Sequence, residues 1–400
     1  MHWIIILSLL STFLFHGSAE TRQFSTELSG VQAHYQFGGI LSIQAQVPVK
    51  TDLKQAVLEI QNNTSNPAQF PLDINPDGML TAAINLNTLG LQPFTRVYYW
   101  FELTFSDNTK FTSASYWFDY LDNRFTWQTS TTKWFSIFWV DGDPLFGEKL
   151  QDIALSGLKS ATEILPATPP MPISIYVYPD SKSVQAILSN TEPDWVAGEA
   201  FPLSNLIVVS TSADINGTQD LERQIPHELT HLLEYQIAQE NYLNNPAWLL
   251  EGLASNAETY PNPDYTRALQ KAISSHNLVP INQLCHAFSP EVNEATLAYA
   301  ESASFTHYLT SEFGTDKIMQ LLQSSSTGLD CSQLVLTVLG TNLDSLDSAW
   351  QENTFSESSD QALIMRYWPI FIIVIALIIA AILLRRYYIK RKENGNGTSK

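Results

Sequence analysis

A chain of 400 residues has room for two or three domains, and its core is large enough that no disulfide framework is needed to hold it. Only 15% of the residues are charged and 12% are aromatic. That mix excludes a disordered chain and describes an aromatic-rich body with a polar rather than ionic surface. The formal charge of −19 argues against nucleic acid and anionic lipid as partners of the body, because like charges repel.

The chain opens on an apolar run over residues 3–15, followed by the small residues Gly17, Ser18 and Ala19. This is the pattern of a signal peptide spanning residues 1–19 and cleaved near Ala19. The run is not preceded by Lys or Arg, so an uncleaved N-terminal anchor is the alternative. Residues 20–128 alternate apolar and polar side chains in stretches such as "GILSIQAQVPV", "QAVLEIQNN" and "TRVYYWFELTF", with turn signals "NPDG" and "SDNT" between them. Several short strands at this spacing predict a β-sandwich. Nothing in it has catalytic spacing, and its expected role is that of a spacer or recognition module.

The pattern changes over residues 129–350. "KWFSIFWVDG", "MPISIYVYPD" and "FPLSNLIVVST" read as strands, and "LFGEKLQDIALSGLKSATEIL" has helical period. From Asp220 to about Leu346 helical stretches dominate. A small mixed sheet followed by helices makes an α+β domain. Within residues 351–366, "NTFSESSDQ" (353–361) is polar and lacks an apolar period, and the segment reads as a tether. Residues 367–384 form an uncharged run, with Tyr367 and Trp368 at one edge and Arg385, Arg386, Lys390, Arg391 and Lys392 beyond the other. The run is long enough for one transmembrane helix. The basic flank places residues 385–400 in the cytoplasm. The expected protein is a single-pass one in the cell membrane, its N-terminal body extracytoplasmic. The segment after Leu384 holds six basic residues and one acid, so the rest of the chain carries −24. The only cysteines, Cys285 and Cys331, are either a disulfide pair or two buried thiols.

Residues 225–236 read "IPHELTHLLEYQ". Positions i and i+4 share a helix face, so His227 and His231 point the same way, with Glu228 beside them. This is H-E-x-x-H spacing: two imidazole ligands for one zinc ion and a carboxylate as general base. Zinc makes water acidic near neutrality, and the carboxylate completes the deprotonation. Pro226 cannot donate to the carbonyl of Glu222, which predicts that the helix begins or bends there. A catalytic zinc needs a third protein ligand. The metzincin frame fails, since Glu234 and Ile237 stand where glycine and histidine belong. His276, His286 and His307 follow in no recognisable frame. Downstream, "NPAWLLEGLASNAE" opens a helix after Pro246 and sets Glu251 within an apolar face, 20 residues after His231. A carboxylate there is costly unless paired or metal-bound, and Glu251 is the candidate third ligand.

"HELTH" followed by "PAWLLEGLA" resembles the gluzincin metallopeptidases of the peptidase MA-like group, and "LAYAESASFTHYL" and "EFGTDKIMQLL" resemble that group's later helices. The resemblance spans about residues 130–345. It implies a zincin-like, thermolysin-type domain. His227, His231 and Glu251 would hold one zinc ion and Glu228 would be the base. It also implies Tyr299 as stabiliser of the oxyanion and an edge strand near "AGEAFP" that binds substrate backbone, where Glu199 could anchor an amino terminus. Such enzymes place an aspartate four residues after the glutamate ligand; Ser255 stands here, with Glu258 as the nearest substitute. The expected function is that of a membrane-anchored zinc metallopeptidase cleaving a peptide or protein substrate outside the cytoplasm. The alternative is a catalytically inactive zincin-fold surface binding protein whose β-domain carries the function. An intramembrane protease is excluded, because "DLERQIPHELTHLLEYQIAQENY" is too polar for a membrane helix.

Overall fold

The computed structural model describes residues 28–48, 52–62, 66–188, 193, 195–211, 215–326 and 328–355, with residues 372, 375, 377–380 and 382–386 of a further helical stretch. The expected leader 1–19 lies outside these residues, as do most of the expected tether 351–366, much of the 367–384 run and nearly all of the basic tail. Among the described residues, no helix is long and apolar enough to cross a membrane. The chain divides into two compact units, Met1–Arg124 and Phe125–Lys400.

The first unit holds only strands and one short 3-10 turn among its described residues. They are β1 (Ser29–Tyr35), β2 (Ile40–Gln46), β3 (Leu53–Asn62), β4 (Ala68–Pro71), β5 (Asp73–Ile74), β6 (Met79–Asn85), β7 (Thr95–Phe105), β8 (Lys110–Thr112) and β9 (Tyr116–Tyr120). They make two antiparallel sheets, β1-β2-β6-β5 and β4-β3-β7-β8, with β9 on β7. Period-two burial explains the pattern. Leu41, Ile43 and Ala45 of β2 and Val97, Tyr99, Phe101 and Leu103 of β7 are all buried, while their neighbours point outward. Tyr35 joins the sheets. Its hydroxyl donates to the carbonyl of Asp119 at 2.7 Å, and its ring lies 5.2 Å from that of Phe118.

The second unit carries β10 (Gln128–Thr131), β11 (Phe135–Trp139), α1 (Pro144–Ile164), β12 (Ile173–Tyr178), α2 (Ser181–Gln185), β13 (Gly198–Phe201) and β14 (Leu206–Ser210). Helices α3 (Ile215–Ala238), α4 (Ala247–Ala257), α5 (Pro263–Ser275), α6 (Val292–Phe313), α7 (Thr315–Ser324) and α8 (Cys331–Leu339) follow. The sheet order is β10-β11-β12-β14-β13. β11, β12 and β14 run parallel, and the two outer strands are antiparallel to their neighbours. The central strands "FSIFW", "ISIYVY" and "LIVVS" are apolar nearly throughout, as strands covered on both faces must be. The mixed α+β reading of the chain, with a β-rich region followed by a helical domain, holds.

Helix α3 differs from expectation. It starts at Ile215 and runs through Pro226 rather than beginning there. Two features let it pass. The Pro226 ring seats against α1, where a Cβ on Gly157 would lie 3.3 Å from it. The carbonyl of Glu222, deprived of the proline's donor, accepts instead from the amide and hydroxyl of Thr259 at 3.0 and 2.8 Å.

Cys285 and Cys331 form a disulfide with Cα atoms 6.0 Å apart, closing a separation of 46 residues. Its effect is on stability, because the core is already large. Replacing both cysteines by serine is expected to cost about 4 kcal/mol by loop entropy, checked by comparing the denaturation midpoints of the two proteins.

Glu301 sits fully buried on α6. The amide of Val279 donates to both its carboxylate oxygens, each at 3.1 Å. Burial pushes its pKa up to about 8 against the pull of that amide, and Asp347 adds to the rise. Between an ordinary glutamate's pKa and about 8 the folded chain therefore holds a proton that the unfolded chain has lost. Stability falls as pH rises through that window. Glu301→Gln keeps an acceptor for Val279 and removes the titration. Its melting temperature is expected to drop less than that of the wild type between pH 5 and pH 8, a difference measured by calorimetry at the two pH values.

Candidate metal centre

Helix α3 carries His227, Glu228 and His231, and α4 carries Glu251. The two imidazole rings lie 5.0 Å apart, as one helical turn requires. His227 Nε2 is 3.2 Å and His231 Nε2 3.7 Å from the same carboxylate oxygen, Glu251 Oε2. One donor atom from each of the three residues lies within 4.8 Å of the others, the only such His/Cys/Asp/Glu group among the described residues. Tetrahedral zinc with bonds of ~2.0–2.1 Å spaces its ligand atoms by about 3.3 Å. Two imidazole nitrogens and a carboxylate oxygen at these separations suit that ion in donor type and spacing.

The approach of α4 is built locally. A 3-10 turn, Gln239–Asn244, follows α3. Asn245 closes it, donating to the carbonyls of Asn241 and Tyr242 at 3.1 and 3.2 Å and accepting from Ser325 at 2.7 Å. Pro246 then stands at the N-cap of α4, its carbonyl accepting from the amides of Leu249 and Leu250 at 3.0 and 3.3 Å, and it has no N–H of its own to satisfy. Next to Glu251, Gly252 lets α4 touch α6, since a Cβ there would stand 2.4 Å from the carbonyl of Ser302.

Each imidazole is backed by a second carboxylate. His231 Nδ1 meets Glu234 Oε2 at 2.7 Å and His227 Nδ1 meets Glu258 Oε1 at 3.4 Å. Such partners fix the ring and leave Nε2 for the ion. Burial works to lower both histidine pKa values, but the carboxylates outweigh it. His227, beside Glu251 and Glu258, stands well above an ordinary histidine, and His231, beside Glu234 and Glu251, rises to about 9. Burial raises Glu234 to about 7 against the pull of His231. Glu251 goes the other way: burial would raise it, but His231, His227 and the Tyr299 hydroxyl hold it low.

Glu228 is buried, and burial lifts its pKa against the two imidazoles. It faces β13, where a Cβ on Gly198 would come 2.9 Å from Glu228 Oε1. A cavity of about 170 Å³ lies beside them, lined by Gly198, Glu199, Glu228, His231, Tyr242 and Tyr299 among others. Tyr299 reaches it from α6. Its ring lies 6.1 Å from that of His227 and is held by Tyr265, stacked at 6.0 Å, and by Phe288 at 5.1 Å.

The geometry thus brings together His227, Glu228, His231, Glu251 and Tyr299, with Glu199 and Glu258 close by. Ser255 does not meet either imidazole; Glu258 stands where an orienting acid is needed. His276 caps α5, and His286 and His307 join no group that could hold a metal among the described residues. Two contributors escaped the sequence. Glu234 was legible in principle, since it follows His231 by one helical turn. Tyr242 comes from a 3-10 turn, where no spacing rule applies.

These features define a zincin-like metallopeptidase fold. Residues 153–356, just over half of the chain, match the sequence profile described as Peptidase MA superfamily, and the chain belongs to that superfamily. No curated protein matches the chain. A solved aminopeptidase N family protein from Idiomarina loihiensis is similar at 9% identity and a TM-score of 0.36, over 77% of this chain and 72% of that one. A family 56 carbohydrate-binding module, a beta-1,3-glucan binding domain, is similar at 8% identity and a TM-score of 0.18, over 23% of this chain and 98% of that one. At such scores neither likeness carries an argument.

Proposed function

We propose that the protein is a zinc metallopeptidase, anchored by residues 367–384, that hydrolyses peptide bonds outside the cytoplasm. The observation that carries this reading is the convergence of His227 and His231 on Glu251 Oε2 at 3.2 and 3.7 Å, with Glu228 beside them. His227, His231 and Glu251 would hold one zinc ion. When bound, zinc supplies Lewis acidity that makes water a nucleophile near neutral pH. Glu228 takes the proton from the attacking water and returns it to the departing amine nitrogen. Its raised pKa suits both halves of that exchange. Tyr299 and Tyr242 line the same cavity, and a hydroxyl from either would donate to the oxygen that gains charge in the transition state. The outer strand β13, next to Glu228, would align the substrate backbone. An intact Glu228 weighs against the inactive binding-protein reading. The test is metal analysis of the full-length protein in detergent, together with cleavage of a quenched peptide library. Stoichiometric zinc, with cleavage lost to a chelator and restored by zinc, is the expected result. Zinc without cleavage of any peptide would favour the binding protein, and no zinc would end both readings.

A further inference from the structure

We propose that Thr259 is a positioning residue for the first histidine of the centre, and that Pro226 creates the anchor it uses. Proline has no N–H, so the Glu222 carbonyl one turn earlier loses its helical donor. Backbone carbonyls in packed regions need a partner. Glu222 receives two from outside its own helix, the Thr259 amide at 3.0 Å and the Thr259 hydroxyl at 2.8 Å. Thr259 directly follows Glu258, whose carboxylate stands 3.4 Å from His227 Nδ1. The same turn is held from α1, where the Ser160 hydroxyl donates to the Ala257 carbonyl at 2.7 Å. Pro226 itself is seated on Gly157. The gap in the hydrogen-bond ladder of α3 therefore docks the C-terminal end of α4, and the docked end sets Glu258 behind His227. The residue that opens the gap immediately precedes the histidine that benefits.

The inference rests on the zinc reading of the centre, and its test is zinc affinity rather than turnover. Full-length variants are titrated with zinc against a chromogenic chelator. Thr259→Val keeps its size and loses the hydroxyl donor. Pro226→Ala returns an amide that competes for the Glu222 carbonyl. Each is expected to weaken zinc binding by about 10-fold, the lower end of what a lost partner behind a ligand histidine costs. Thr259→Ser should retain wild-type affinity. Glu258→Gln should lose ~10–100-fold, and Glu258→Gln/Thr259→Val should bind no more weakly than Glu258→Gln alone, because both act through one contact. Wild-type affinity in Thr259→Val and Pro226→Ala, or fully additive losses in the double variant, overturns the proposal. Should those two fail to fold by circular dichroism, Glu258→Gln decides, since it leaves the backbone clamp in place: unchanged zinc affinity there overturns the proposal as well. Zinc bound by the wild type with unaffected variants removes only this inference. No zinc in the wild type removes the metal reading beneath it.

Discussion

Glu228→Gln is expected to keep one zinc per chain and to lower peptide hydrolysis by about 10²–10⁴-fold, the range that a positioned proton-transfer group contributes. Glutamine has the same shape, so it fits the space left by Gly198, where even a methyl group would press on the glutamate at 2.9 Å. It cannot take a proton from water. Stability should hold or rise, because burial already disfavours the charged carboxylate. Zinc content, melting temperature and cleavage rate, measured together, separate the possible results. Undiminished cleavage would remove Glu228 from the proton-transfer role. Loss of zinc would move it among the ligands, where neither the spacing nor the geometry puts it.

Gly252→Ala should damage both fold and centre. A Cβ at this position meets the Ser302 carbonyl oxygen at 2.4 Å and Thr306 Cγ2 at 2.7 Å. The oxygen is backbone and cannot rotate away. Relief requires α4 to back off α6, and overpacking of this kind costs about 1–3 kcal/mol or more. At ~2–4 °C per kcal/mol for a domain of this size, the melting temperature should fall by several degrees. Glu251 precedes Gly252 and moves with it, so zinc affinity should fall in the same variant. An unchanged melting temperature would mean that the two helices do not touch here.

The centre was legible because its chemistry follows helical arithmetic. Four residues separate His227 from His231, and a single face follows. Glu251 was legible as a carboxylate stranded in an apolar helix. Strands β2, β7 and β12 announced themselves by alternation or by a continuous apolar run. The four-residue strand β10 did not, because so short a stretch cannot display a period, and β13, equally short, was expected near "AGEAFP" only from the family resemblance. Glu301 reads as an ordinary helix-surface acid, and only the packing of α6 buries it. Cysteine pairing depends on the approach of two distant segments, which composition leaves open. Pro226 reads as the start or a bend of its helix, yet α3 runs through it, because Thr259, far along the chain, supplies what the proline withholds.

The outer strand β13 is four residues long, Gly198–Phe201, and is the last in its sheet among the described residues. Alternate residues of a strand turn their amides and carbonyls to one side, so in a ribbon of this length the main chain of only about two residues faces away from β14. In the proposed peptidase, generic ladder pairing would then supply little of the affinity. Selection among cleavage sequences would fall to the side chains of the substrate, and released fragments would have few backbone bonds to break before they leave.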